Sequence, residues 1–140
     1  MPVLAAVAFV WLGMVLAISF LEAPLKFRAP GVTVPLGLGI GRLVFRALNA
    51  VEVVAVLVVV AVLVAGPRPG AVVAAGAVAA GPLVLQLVAV RPALTRRADA
   101  VLAGADAPRS RAHFAYIALE AVKVVALIAL GSTALAAASA

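Results

Sequence analysis

Residues 49–65 read NAVEVVAVLVVVAVLVA, and the solvent this stretch demands decides the fold. From Val53 to Val64 there is no polar side chain, and the run closes on Gly66-Pro67-Arg68-Pro69-Gly70, a turn signal. Traced back to a start between Pro35 and Leu43, the segment exceeds the ~20 residues that cross ~30 Å of hydrocarbon. An ionisable side chain near a helix centre costs ~2.5–3.5 kcal/mol on insertion scales unless it meets a partner. Glu52 therefore has to face the inside of a bundle.

The rest of the chain agrees. Of 140 residues, 67% are hydrophobic and 11% charged, with a mean hydropathy of +1.30. A soluble domain carries roughly half apolar residues, so this composition reads as an integral membrane protein of one small domain, residues 1–140. Lys and Arg number 11 against 5 Asp and Glu, a net charge of +6. In a soluble protein that excess would suggest nucleic acid. Here the cations cluster between apolar runs, which suits anionic lipid headgroups, and no nucleic-acid partner is expected. With no cysteine there is no disulfide or thiolate site, and one histidine cannot supply a bis-histidine haem.

Three further spans accompany the valine-rich one. Pro2 to Leu21 carries no charge and lacks the basic n-region of a signal peptide, so it reads as helix 1, over about 2–23, ending near Pro24. Helix 2 is expected over 36–65. Helix 3 is expected over 71–90, kinked at Gly81-Pro82. Helix 4 is expected over 112–136, with an alanine-rich tail fraying after Gly131. Residues 24–41 and 91–111 are expected as loops, the second with a short amphipathic helix on the membrane surface from Pro92 to Ala103. The expectation is an all-α, four-helix up-down-up-down bundle.

Orientation follows from charge. Lys26, Arg28, Arg42 and Arg46 flank the first connection, and Arg91, Arg96, Arg97, Arg109 and Arg111 flank the third. The middle turn has Arg68 alone. The positive-inside rule then places both basic loops in the cytoplasm and both termini outside, in a multi-pass cell (plasma or inner) membrane protein.

The polar residues within the spans step by three and four along single helix faces: Trp11, Val15, Ser19, Glu22 and Lys26; Arg42, Phe45, Asn49 and Glu52; His113, Tyr116, Glu120 and Lys123. Helix 3 adds Gln86. Glu52 lies 13 residues before Ala65, about 20 Å below the outer end of its helix at ~1.5 Å per residue. Glu120 lies about 12 Å in from the opposite end of helix 4. Glu22, Asn49, Glu52, Gln86, His113, Tyr116, Glu120 and Lys123 thus form the candidate ligand or proton pocket, closed outside and facing the cytoplasm.

Each has a plainer reading. Glu120 and Lys123 make an i,i+3 ion pair, Glu52 is satisfied by Arg46 or Asn49, and His113 meets headgroups. Tyr116 and Trp11 pack or sit at the interface, and the arginines set topology. A carboxylate-bridged dimetal site would draw on Glu22, Glu52, Glu120 and His113, but bundle sites of that type use Glu-x-x-His pairs, and none occurs. No metal and no cofactor are expected. Gly37 and Gly41 form a small-xxx-small pair suited to close helix approach.

Trp11-Leu-Gly13, then Ala23-Pro24-Leu-Lys-Phe27-Arg28, then Gly41-Arg42-Leu-Val-Phe45 resembles a pattern of small four-helix bacterial integral membrane proteins, W-G, A-P-x-x-F-R and G-R-x-F. It is similar to a eukaryotic transmembrane family associated with cisplatin resistance and, more faintly, to anthrone-oxygenase-like membrane proteins. The likeness covers residues 11–46, with Glu22 and Lys26 as departures. It implies a four-helix membrane fold and brings no activity.

Three functions fit these residues. The leading one is binding or transport of an ion, proton or small polar ligand, with Glu52 and Glu120 exchanging the proton or cation and Lys123 tuning them. The second is a membrane-embedded enzyme on a lipophilic substrate, with Glu120, Glu52 or His113 as acid or base and Tyr116 and Asn49 orienting. The third is a structural subunit of a larger complex. A homodimer is expected, with the small residues of helix 3 as a face.

Overall fold

The computed structural model describes residues 1–106, 108 and 110–140. Arg109, counted above among the loop cations, and Ala107 lie outside the described residues. Four helices long and apolar enough to cross a membrane follow in order: α1 (Pro2–Arg28), α2 (Val34–Val64), α3 (Gly70–Leu102) and α4 (Arg111–Ser139). No strand occurs among the described residues.

Local chemistry sets the helix ends. Thr33 caps α2, its hydroxyl accepting from the Leu36 N–H at 3.3 Å, and Pro35 sits in the first turn where its missing donor costs nothing. The turn between α1 and α2 needs Gly31 at φ +81°, and α3 ends at Gly104 with φ +89°, both in the region glycine adopts freely. Arg68 donates to the Val62 carbonyl at 3.1 Å, satisfying the end of α2.

Two loops are shorter than the sequence suggested. The helix continues past Pro24 to Arg28, so the first connection is 29–33 and not 24–41. Likewise α3 continues through Pro92 to Leu102, so the expected segment Pro92–Ala103 extends this long helix and does not form a separate one. The reason lies in the preceding turns. Pro24 and Pro92 would crowd the carbonyls of Phe20 and Val88 in an α-helix. Both carbonyls fall in wide π-helical segments, Leu16–Glu22 and Gln86–Val90, which absorb each proline without ending the helix. The run Gly70–Leu85 is α-helical through Pro82. The α4 helix runs to Ser139, with Gly131 and Ala134 buried against the bundle.

The pairings run backwards around a closed ring. Trp11 meets Glu52 and Lys26 meets Gly41 between α1 and α2. Leu63 meets Gly76 and Arg42 meets Asp99 between α2 and α3. Gly76 meets Leu130 and Gln86 meets Lys123 between α3 and α4. Phe9 meets Gly131 and Ser19 meets Glu120 between α1 and α4. Each helix is therefore antiparallel to both neighbours, an up-and-down bundle.

The half of the bundle near the termini is an apolar core, drawing Leu4, Ala8, Val59, Val72, Leu127 and Leu130 from all four helices. Ala75, Gly76 and Ala79, among the small residues of α3 considered above as a dimer face, pack inside this core. The outward faces carry Val54, Leu57, Val88 and Val125 at 58–73% exposure. Water-soluble monomers rarely show apolar surface on this scale, and it is compatible with a hydrocarbon surround.

A β-carbon on Gly131 would lie 2.6 Å from the Phe9 ring. Gly131→Leu is expected to lower thermal stability in detergent by the ~1–3 kcal/mol typical of overpacking. Adding Phe9→Ala should recover part of the loss. An unchanged melting temperature in the single variant would mean α1 and α4 do not approach there.

Candidate functional site

The α-helical period places Asn49 and Glu52 on one face of α2, and Glu120 and Lys123 on one face of α4. Packing turns these faces inward. Lys123, fully buried, donates to Glu52 Oε1 at 2.6 Å, Glu120 Oε1 at 2.6 Å and Gln86 Oε1 at 2.7 Å. An ammonium has three N–H donors, and all three are used. The Gln86 amide must turn its oxygen to the lysine, which leaves its nitrogen to donate to Glu120 Oε1 at 2.6 Å.

The carboxylates are satisfied from the remaining helices. Glu52 accepts from the Trp11 indole at 2.9 Å and from Asn49 Nδ2 at 2.9 Å. Glu120 Oε2 accepts from the Ser19 hydroxyl at 2.5 Å. Seven side chains from four helices thus form one network. Ser19 and Gln86 both stand in the π-helical segments. From these wide turns, which precede Pro24 and Pro92, both residues reach Glu120. With both carboxylates ionised the network carries one net negative charge, held by charge-assisted hydrogen bonds among largely buried side chains.

The network lies between two concavities. The larger, about 560 Å³, occupies the basic end of the bundle and is lined from all four helices, with Ser19 and Glu120 among its walls. The smaller, about 270 Å³, is an apolar groove between α1 and α2 that reaches Trp11 and Glu52.

Of the eight residues selected from sequence, Asn49, Glu52, Gln86, Glu120 and Lys123 come together in the network. Tyr116 lines the larger cavity, edge-on to Phe45 at 5.5 Å. Its hydroxyl and the Asn49 side-chain oxygen are buried without a hydrogen bond of good geometry, the Asn49 side chain being the polar neighbour of the hydroxyl. His113 lines the same cavity and stacks edge-on to Phe114. Glu22 stands apart, paired with Lys26 at 3.3 Å and one-third exposed. Trp11 and Ser19 were missed as partners. The only sequence signal was their position, with Val15 between, on one face of α1. Lys123 Nζ fills the point between the two carboxylates, and among the described residues no group of three or more His, Asp or Glu side chains is placed to hold a metal ion.

No protein-family model, curated protein or solved structure matches the chain. Within the chain, the pattern residues Pro24, Phe27, Arg28, Gly41, Arg42 and Phe45 all line the larger cavity. Gly37 and Gly41 let the end of α1 approach, with the Phe27 ring over Gly37 and the Lys26 ammonium beside Gly41.

Removing the lysine tests the network. Lys123→Met strands two buried carboxylates, and breaking a buried pair typically costs ~3–5 kcal/mol. Lys123→Met with Glu120→Gln should recover much of that loss in a detergent melt, because Glu52 keeps Trp11 and Asn49 as donors. Additive losses would show that the two side chains do not interact.

Proposed function

We propose that the protein is a membrane-embedded binding or transport protein whose larger cavity takes a small ionic or polar ligand. In this reading Glu120 and Glu52 exchange a proton or cation, and Lys123 holds them at a fixed distance. One observation carries the proposal: a continuous hydrogen-bonded network joins Ser19 and Glu120 on the cavity wall to Glu52 and Trp11 on the side groove. A purely structural cluster has no need to end on a concavity at each side. The apolar core beyond it closes the bundle toward the termini.

The basic end faces the cytoplasm by the positive-inside rule, since eight of the ten described Lys and Arg residues lie at that end. In this reading the cavity opens to the cytoplasm, both termini lie outside, and the membrane is taken to be the cell membrane. A cysteine introduced at Ser139 should react with an impermeant maleimide added to intact cells. Labelling only after the cytoplasmic side is exposed would invert this assignment.

Charge exchange is measured in proteoliposomes holding a pH-sensitive dye under a potassium diffusion potential. Wild-type protein should give a dye response above protein-free vesicles, and Glu120→Gln should cut it at least tenfold. Equal flux in wild type and Glu120→Gln would remove Glu120 from the path and overturn the proposal.

A second reading, an enzyme acting on a lipophilic substrate, is favoured by the groove between α1 and α2. Its apolar walls lead from the lipid-facing surface to Glu52, which would serve there as general acid or base.

A further inference from the structure

The larger cavity has a lining that neither helix packing nor membrane orientation requires. Five cationic side chains border it, Lys26, Arg28, Arg42, Arg91 and Arg97, against the single carboxylate of Glu120. Both oxygens of that carboxylate are already engaged by Ser19, Gln86 and Lys123. Three of the cations are also matched: Lys26 with Glu22, Arg42 with Asp99, and Arg97 with the Pro108 carbonyl. Among the described residues, Arg28 and Arg91 have no acidic partner.

Arg91 is the more informative of the two. A cation that only sets orientation has to stand on the right side of the bilayer, and exposed Arg96 satisfies that requirement from outside the cavity. Arg91 instead is half-buried, follows directly on the π-helical segment of α3, and borders the cavity together with Tyr116. The Tyr116 hydroxyl is buried, with the Asn49 side chain as its polar neighbour and no hydrogen bond of good geometry. Between these polar groups the walls are apolar, built by Phe20, Phe27, Phe45 and Ile117. A bare inorganic anion would leave those walls without a partner. A neutral lipid would leave the arginine unpaired, and an organic cation filling the cavity, unlike a proton or small cation passed to Glu120, would meet like charge.

We propose that this cavity binds an amphipathic organic anion, a carboxylate or phosphate monoester on a hydrocarbon body, with Arg91 receiving the charged head. Guanidinium groups suit both heads through paired, charge-assisted hydrogen bonds. The volume of about 560 Å³ falls within the ~300–1,000 Å³ of small-molecule sites. The inference rests on the larger cavity being the ligand site, and it specifies the ligand's chemistry.

The test uses the full chain in phosphatidylcholine nanodiscs, with protein-free discs as background for partitioning. Dodecanoate and dodecyl phosphate are titrated alongside dodecanol, dodecyltrimethylammonium and acetate. At least one of the two anionic amphiphiles should bind saturably, and the three controls should not. Arg91→Gln should weaken binding at least tenfold, about 1.4 kcal/mol. Arg91→Lys, which keeps the charge and loses the paired geometry, should weaken binding less than Arg91→Gln, and Arg96→Gln should change nothing. Melting curves of the Arg91 variants show that the fold is intact.

Competition by phosphatidylglycerol in the disc would identify the head as that of a membrane lipid, and lack of competition would identify a free amphiphile. Equal binding of dodecanol, binding of acetate alone, undiminished binding by a folded Arg91→Gln, or no binding of any probe would each overturn the inference. Flux that depends on Glu120 in a protein that binds no anionic amphiphile would remove this inference and leave the charge-exchange reading standing. Anion binding without such flux would do the reverse.

Discussion

An ammonium group buried in a bundle of apolar helices must find an acceptor for each of its three hydrogens, and that requirement organises this molecule. Lys123 takes one from its own helix, Glu120, and one each from α2 and α3, Glu52 and Gln86. The carboxylates then need donors, and α1 supplies them through Trp11 and Ser19. A single lysine therefore fixes the rotation of all four helices about their axes. Apolar packing of valine, alanine and leucine against one another is permissive by comparison, because lipid tails compete on nearly equal terms for the same surfaces.

The prolines serve the same end. In a soluble helix Pro24 and Pro92 would be read as stops, and each does remove a backbone donor. Here each is preceded by a wide turn, and the wide turns carry Ser19 and Gln86. A π-helical insertion shifts the side chains beyond it around the helix axis. The residues that reach Glu120 from α1 and α3 do so from these wide turns. Helix continuation past both prolines also extends α1 and α3 beyond the polar layer, which builds the walls of the basic cavity.

The bundle divides into two halves with different chemistry. The half near the termini is closed by leucine, valine and alanine. The other half spreads around a cavity whose walls are aromatic and whose border is cationic. The polar network marks the boundary, and the residues of the A-P-x-x-F-R and G-R-x-F stretches all fall on the cavity side. Those stretches place prolines, glycines and phenylalanines where the ends of α1 and α2 approach closely, with Phe27 seated over Gly37.

Much of this was legible in the sequence, for a definite reason. Hydropathy and length state which solvent a segment needs, so four spans followed from composition and turn residues alone. Steps of three and four state which side chains share a face, so Asn49 with Glu52 and Glu120 with Lys123 could be grouped. The cost of an unpaired charge in hydrocarbon then required that these faces meet. Only the tertiary structure decided how they meet. Trp11 and Glu52 are 41 residues apart, and Lys123 and Glu52 are 71 apart. Their contact depends on the relative rotation and register of separate helices, which no local period encodes. Pro24 and Pro92 looked like helix ends because a local rule cannot see a wide turn upstream absorbing the clash. The arginines could be read from sequence as orientation signals only, because sequence does not state which charges border a cavity, as Arg28, Arg42, Arg91 and Arg97 do.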